Sequence, residues 1–379
     1  MIKFIDPQIG QEEKDGVKEV LDSKYLAEGP VAREFEKKFS EYTGAKHVIV
    51  TSNGTTALHL AIRALDIQPG DEVITTPFTF IASSNSILFD GAIPIFADID
   101  PETYNLNPAK VEEKITKKTK AIMPVHIFGN PCDMKALKDM ADDHDLKIIE
   151  DACQAHGASI DGKHVGNFGD IGCFSFYATK NLTFGEGGAI VTQDEDLKDE
   201  ILCLRNHGRT PKGGYHHTRI GFNYRTTNIC SAIGLAQLEK LPTMQEARTR
   251  NASILQKELA DLEGFAMQKT PKGGKHGWHI AAGRTDKTDL TATKIIEELK
   301  ANDIGSRQIY NVPSYKQPAY LELNDYYYWS KFVKFPDYSK VCCPISERVG
   351  KNHFEIPIQP GVTEENMQHI VSVLRKIFS

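Results

Sequence analysis

Seven short runs, each apolar nearly throughout and rich in β-formers, recur in the first two-thirds of the chain. They are KHVIVTS (46–52), DEVITTP (71–77), IPIFADI (93–99), AIMPVHIF (121–128), LKIIEDA (146–152), IGCFSFY (171–177) and GAIVTQD (188–194). Helical patterns stand among them at 55–66, 133–145 and 195–208. A strand apolar on both faces cannot leave one face in water. Such runs therefore predict a mostly parallel, seven-stranded α/β sheet covered by helices on both sides. In sheets of this kind ligands bind beyond the carboxyl ends of the strands.

The pattern changes after about residue 228. A long helical stretch runs from Asn228 towards Leu262, followed by a helix in KIIEELKANDI, a Tyr/Pro-rich loop from Gln308 to Tyr328 and a terminal helix in TEENMQHIVSVLRKIF. This predicts a large domain over 1–248 and a small α+β C-terminal domain over 249–379, with the N-terminal segment able to pack on the small one. A length of 379 residues suits that division.

Composition excludes several classes. The formal net charge is −6, and the one dense basic run, Lys114 to Lys120, reads as a solvated helix end, so nucleic acid is not an expected partner. The first residues carry no apolar signal core, and no run approaches the roughly 18 apolar residues of a membrane span. The seven cysteines are scattered, two of them adjacent (Cys342 and Cys343), without metal-ligand spacing. The expectation is a reducing cytoplasm, no membrane and no metal. The sequons at Asn53, Asn181 and Asn251 read as chance.

Chemistry-bearing residues gather at the predicted strand ends. VIVTSNGTTALHLAI places Gly54 in a tight turn and Thr55 and Thr56 at a helix start, where free N–H groups suit a phosphate; a plain helix cap is the ordinary alternative. KIIEDACQAHGA puts Asp151 just past a strand, with Gln154 following. TPFTFIAS puts Phe80 in the segment after another strand, and FSFYATKNLTFGEGGAI puts Lys180 at the next strand end. Taken singly, the carboxylate could cap a helix and the phenyl ring could be core. Together they are what pyridoxal phosphate (PLP) requires. The lysine bonds the aldehyde, Asp151 pairs with the ring nitrogen, Phe80 covers a ring face and Gln154 reaches the ring 3′ oxygen. His126 and His156 read as structural.

At these residues the chain resembles the DegT/DnrJ/EryC1/StrS family of sugar aminotransferases. GDEVITTPFTFIASSNSIL, PVHIFGNPCDM, IIEDACQAHGA, FSFYATKNLTFGEGGAI and GFNYRTTNICSAIGLAQLEKL match in order and spacing, and the likeness covers nearly the whole chain. The resemblance implies a fold-type I PLP-dependent transferase (aspartate aminotransferase-like), working as a homodimer with shared active sites. It makes Lys180 the Schiff-base lysine and proton shuttle. It gives the phosphate to Thr55, Thr56 and Ser175, and sends Asn223 to the phosphate of the partner subunit's cofactor. Glutamate, or glutamine, would donate the amino group to a nucleotide-diphosphate keto-sugar. Relatives with histidine in place of the lysine dehydrate sugars, so Lys180 favours amino transfer. The TFGEGG turn is closer to members acting on 4-keto sugars. Phe184 and Cys153 depart from the common pattern, and Phe184 is expected beside the sugar pocket. The segment 305–320 resembles the loop that closes over the sugar. Arg307 and Tyr310 within it, with the His216–His217 pair, are expected to meet the nucleotide diphosphate. Transfer to a cyclitol or other ring ketone, sugar dehydration and a non-enzymatic regulatory role are the competing readings.

Overall fold

A computed structural model describes residues 1–210 and 213–379. All seven runs fold as strands of one sheet: β1 (His47–Thr51), β2 (Glu72–Thr75), β3 (Ile93–Phe96), β4 (Thr119–Met123), β5 (Lys147–Asp151), β6 (Ile171–Ser175) and β7 (Gly188–Thr192). Their order across the sheet is β1-β7-β6-β5-β4-β2-β3. Only β7 runs antiparallel, against both β1 and β6; the other neighbours pair in parallel. Every residue of β6 and β7 is buried, as strands covered on both faces must be. On one face Ile49, Val73 and Ile149 of the sheet pack against Leu58 of the helix Gly54–Ala64 and Leu204 of the helix Glu195–Arg205. On the other, Phe174 and Phe176, at the end of β6, pack against Phe35 and Phe39 of the helix Pro30–Thr43 and Leu241 of the helix Asn228–Glu258.

The basic run at 114–120 is not a helix end. It follows the short helix Pro108–Glu112 and leads into β4, whose first residues are Thr119, paired with Glu72, and Lys120.

The helix Asn228–Glu258 continues unbroken across residue 248. Its first part packs against the helices Gln11–Ser23 and Pro30–Thr43. Its last part places Ala252 and Leu255 in a second core, with Ile295, Leu299, Phe354, Ile370 and Leu374. That core is closed by a three-stranded antiparallel sheet of β8 (Phe265–Met267), β9 (Ala281–Thr285) and β10 (His353–Ile356). The N-terminal segment joins it: Ile2 pairs with Ile304, and Gln359 donates to the carbonyl of Phe4. The Tyr/Pro-rich stretch, by contrast, returns to the large sheet. Tyr315, Tyr320 and Tyr338 pack around Phe96, and the Tyr320 hydroxyl bonds Ser84 at 2.7 Å. No helix among the described residues is long and apolar enough to cross a membrane.

Candidate active site

Parallel strands end on the same edge, so the sheet brings together residues that are far apart in the chain. Asp151 is the last residue of β5 and is 4% exposed. Its Oδ2 accepts the Ser83 hydroxyl at 2.7 Å, and its Oδ1 accepts the Cys153 amide at 3.2 Å. The Ser83 hydroxyl lies 3.0 Å from that of Thr79. Sequence reasoning missed Ser83. The available signal was a run of hydroxyls just after a strand, TFIASS, but hydroxyls there are too common to single one out.

Lys180 sits half-buried on the turn after β6, its amide bonded to the Tyr177 carbonyl at 2.9 Å. Its pKa is lowered, chiefly by burial, with the Arg307 charge adding to the effect and Cys153 and Asp151 opposing it. A lowered pKa leaves more of the amine neutral and nucleophilic. The thiol of Cys153 is pushed well up by burial and by the charge on Asp151, so it is held as an unreactive thiol.

The helix Gly54–Ala64 starts beside them. Asn53 caps it by accepting the Thr56 amide at 2.9 Å, and the Thr56 hydroxyl is engaged with the Asn53 backbone and with Ser52. The amides of Gly54 and Thr55 make no bond among the described residues. A Cβ at Gly54 would lie 2.7 Å from the Ser175 Cβ, so only glycine lets the end of β6 close on this helix start. The result is a pair of free N–H groups with the Ser175 hydroxyl nearby. Phe80 keeps 59% of its surface exposed, an apolar ring without a cover. Gln154 is buried between Phe128 and Tyr310.

The other predicted residues fall in different settings. Asn223 is exposed on a segment held by the Ser52 amide, which donates to the Tyr224 carbonyl at 2.8 Å. Arg307 bonds Glu355 through Nε at 2.8 Å and lies over the Phe4 ring at 4.7 Å. His216 and His217 are exposed, with His217 Nδ1 2.9 Å from the His207 carbonyl.

Phe184 is not beside a pocket. It is 2% exposed, stacked on Phe176 at 4.4 Å and edge-on to Phe35 at 4.6 Å. Gly234 lies so close that a Cβ there would overlap the ring. The extra aromatic fills the core between the sheet and the helix Asn228–Glu258. Phe184→Ala is expected to cost about 3–5 kcal/mol of stability, measured by denaturant unfolding, with little change in ligand affinity. His126 and His156 are likewise core groups: both are fully buried, and His126 bonds the buried Glu150 at 3.0 Å.

A lysine with a lowered pKa, a buried carboxylate, an open helix start and a bare aromatic ring on one sheet edge fit pyridoxal phosphate. The fold is that of the PLP-dependent aminotransferases. The chain belongs to the DegT/DnrJ/EryC1/StrS aminotransferase family, matching it over residues 7–375. It is 40% identical over 380 residues to the GDP-perosamine synthase of Caulobacter vibrioides, covering 99% of this chain and 98% of that one. It is 35% identical over 362 residues to a UDP-N-acetyl-3-dehydro-alpha-D-glucosamine 3-aminotransferase of Acidithiobacillus ferrooxidans, covering 95% and 92%. Among solved structures, NtdA of Bacillus subtilis with bound cofactor PMP superposes with a TM-score of 0.87 at 29% identity, over 97% of this chain and 81% of that one.

Proposed function

We propose that this protein transfers an amino group from glutamate, or glutamine, to a nucleotide-linked keto-sugar, with the 4-keto position favoured, in amino-sugar or polysaccharide synthesis. The observation that carries this reading is Lys180, its pKa lowered, on the same sheet edge as the buried, Ser83-bonded Asp151. Bound pyridoxal phosphate would supply an aldehyde that takes up amines and a ring that accepts electrons. The chain's own residues do the rest. Asp151 holds a negative charge for the ring nitrogen, and Ser83 fixes its carboxylate. The Gly54 and Thr55 amides, with the Thr55, Thr56 and Ser175 hydroxyls, bind the phosphate. Phe80 covers a ring face. Lys180 carries a proton between carbon atoms of the two reacting groups, as base and then as acid. Arg307, His216 and His217 bring charge and donors to the diphosphate. The protein acts as a homodimer in which Asn223 serves the partner's site.

Relatives named for a GDP-sugar and for a UDP-linked 3-dehydro sugar support the substrate class. The TFGEGG turn supports the 4-keto carbon. The test is turnover of PLP-loaded protein with glutamate against a panel of nucleotide 4-keto and 3-keto sugars and a cyclitol ketone. The expected result is 2-oxoglutarate formed in step with a 4-amino sugar. Turnover confined to 3-keto sugars would move the carbon. Turnover of the cyclitol alone would overturn the sugar assignment. Failure of glutamate with turnover of glutamine would move the donor, and failure of both to react would favour a regulatory protein.

A further inference from the structure

Gln154 is gripped from two sides. Its side-chain carbonyl accepts the Phe128 amide at 3.0 Å, and its amide nitrogen donates to the Tyr310 hydroxyl at 3.2 Å. Both partners have left-handed backbones, φ +61° at Phe128 and +54° at Tyr310. Non-glycine residues persist in that region only where their surroundings impose it. The two rings stack, 6.1 Å apart at 12°, and Tyr310 also meets the edge of Phe78 at 6.0 Å. The Tyr310 ring is therefore packed, and its hydroxyl is spent as an acceptor on Gln154. Burial, and then the charge on Asp151, raise the phenol's pKa, so it stays protonated at neutral pH. The two residues come from different parts of the molecule. Gln154 follows β5, whereas Tyr310 follows Arg307, whose carbonyl accepts the Glu355 amide of β10 at 2.9 Å. The bond thus ties the small sheet to the cofactor edge.

An amide has two hydrogens and one carbonyl. Here Phe128 takes the carbonyl and Tyr310 takes one hydrogen. We propose that Tyr310 is a positioning residue of the cofactor site: it fixes the rotation of the Gln154 amide, so that the one remaining hydrogen serves the ring 3′ oxygen. The proposal rests on the PLP reading and on Gln154 meeting that oxygen. It turns Tyr310 from a contact of the nucleotide diphosphate into a partner of Gln154.

The test uses full-length protein loaded with PLP and the pH midpoint of the bound cofactor's visible absorption. A donor at the ring oxygen draws electron density from it, so the proton shared with the neighbouring nitrogen is lost at lower pH. Removing or loosening that donor raises the midpoint. Gln154→Ala is expected to raise it by about one pH unit and Tyr310→Phe by about half a unit, the scale of one hydrogen bond. The double variant should match Gln154→Ala alone, because Tyr310 acts through Gln154. Tyr310→Phe keeps the ring, so its unfolding temperature should stay near that of the wild type. A Tyr310→Phe midpoint equal to the wild type, shifts that add in the double variant, or a shift seen only with a collapsed unfolding temperature would each overturn the proposal. A wild type that titrates normally while Tyr310→Phe does not shift leaves the PLP reading standing. A wild type that takes up no PLP overturns both.

Discussion

Lys180→Ala is expected to lower amino transfer by about a thousandfold or more while leaving the fold intact. The amine has two duties, bonding the cofactor and carrying the proton, and general acid–base catalysis alone is worth roughly 10²–10⁴ in rate. No neighbour can take over the proton. Burial drives His156 down to about 3, and His279 falls well below its ordinary value through burial and the Lys180 charge. The Cys153 thiol is raised. Asp151 is spent on Ser83 and the Cys153 amide. Rapid-mixing absorbance of the glutamate half-reaction measures the loss, with an unfolding curve as the control. A variant keeping a tenth of the wild-type rate would remove Lys180 from the chemistry.

Asp151→Asn should have the second-largest effect. The change is isosteric, and the new carbonyl can still accept from Ser83, but the new NH2 then faces the Cys153 amide, so a stability loss of about 1–3 kcal/mol is expected beside the kinetic one. What disappears is a negative charge in a nearly water-free place, where a fixed charge acts most strongly. The expected loss in kcat/KM is about 10²–10³-fold, or about 3–4 kcal/mol of transition-state stabilisation. PLP should still bind, because the phosphate is held elsewhere. Steady-state kinetics beside PLP titration separate the two effects. A fall in PLP affinity with unchanged kcat would make Asp151 an anchor and deny it an electronic role.

Much of this site was legible before any coordinates. Lys180, Asp151, Gln154, Gly54 and Thr55 stand at strand ends, and the sheet edge is where a parallel α/β protein gathers its chemistry. Phe184 misled because a sequence position beside the Lys180 turn does not say which side of the sheet the ring enters. The chain reverses after Lys180, and the ring turns into the core shared with Phe35 and Phe176. Ser83 was missed, and Tyr310 was given to the nucleotide diphosphate, for another reason. Each becomes meaningful only through a partner distant in the chain, Asp151 for Ser83 and Gln154 for Tyr310.

By itself the sequence determined the seven strands, several of the covering helices and the edge on which the reactive groups collect. These follow from local periodicity and from the demand that apolar runs be buried, which short windows of sequence record. Only the tertiary structure decided that β7 runs against its neighbours, that the Tyr/Pro-rich stretch packs back on the large sheet, that Phe184 is core, and that Ser83 and Tyr310 hold the two side chains assigned to the cofactor ring. Those outcomes depend on which distant surfaces meet, and no local pattern encodes a meeting between segments that the fold alone brings together.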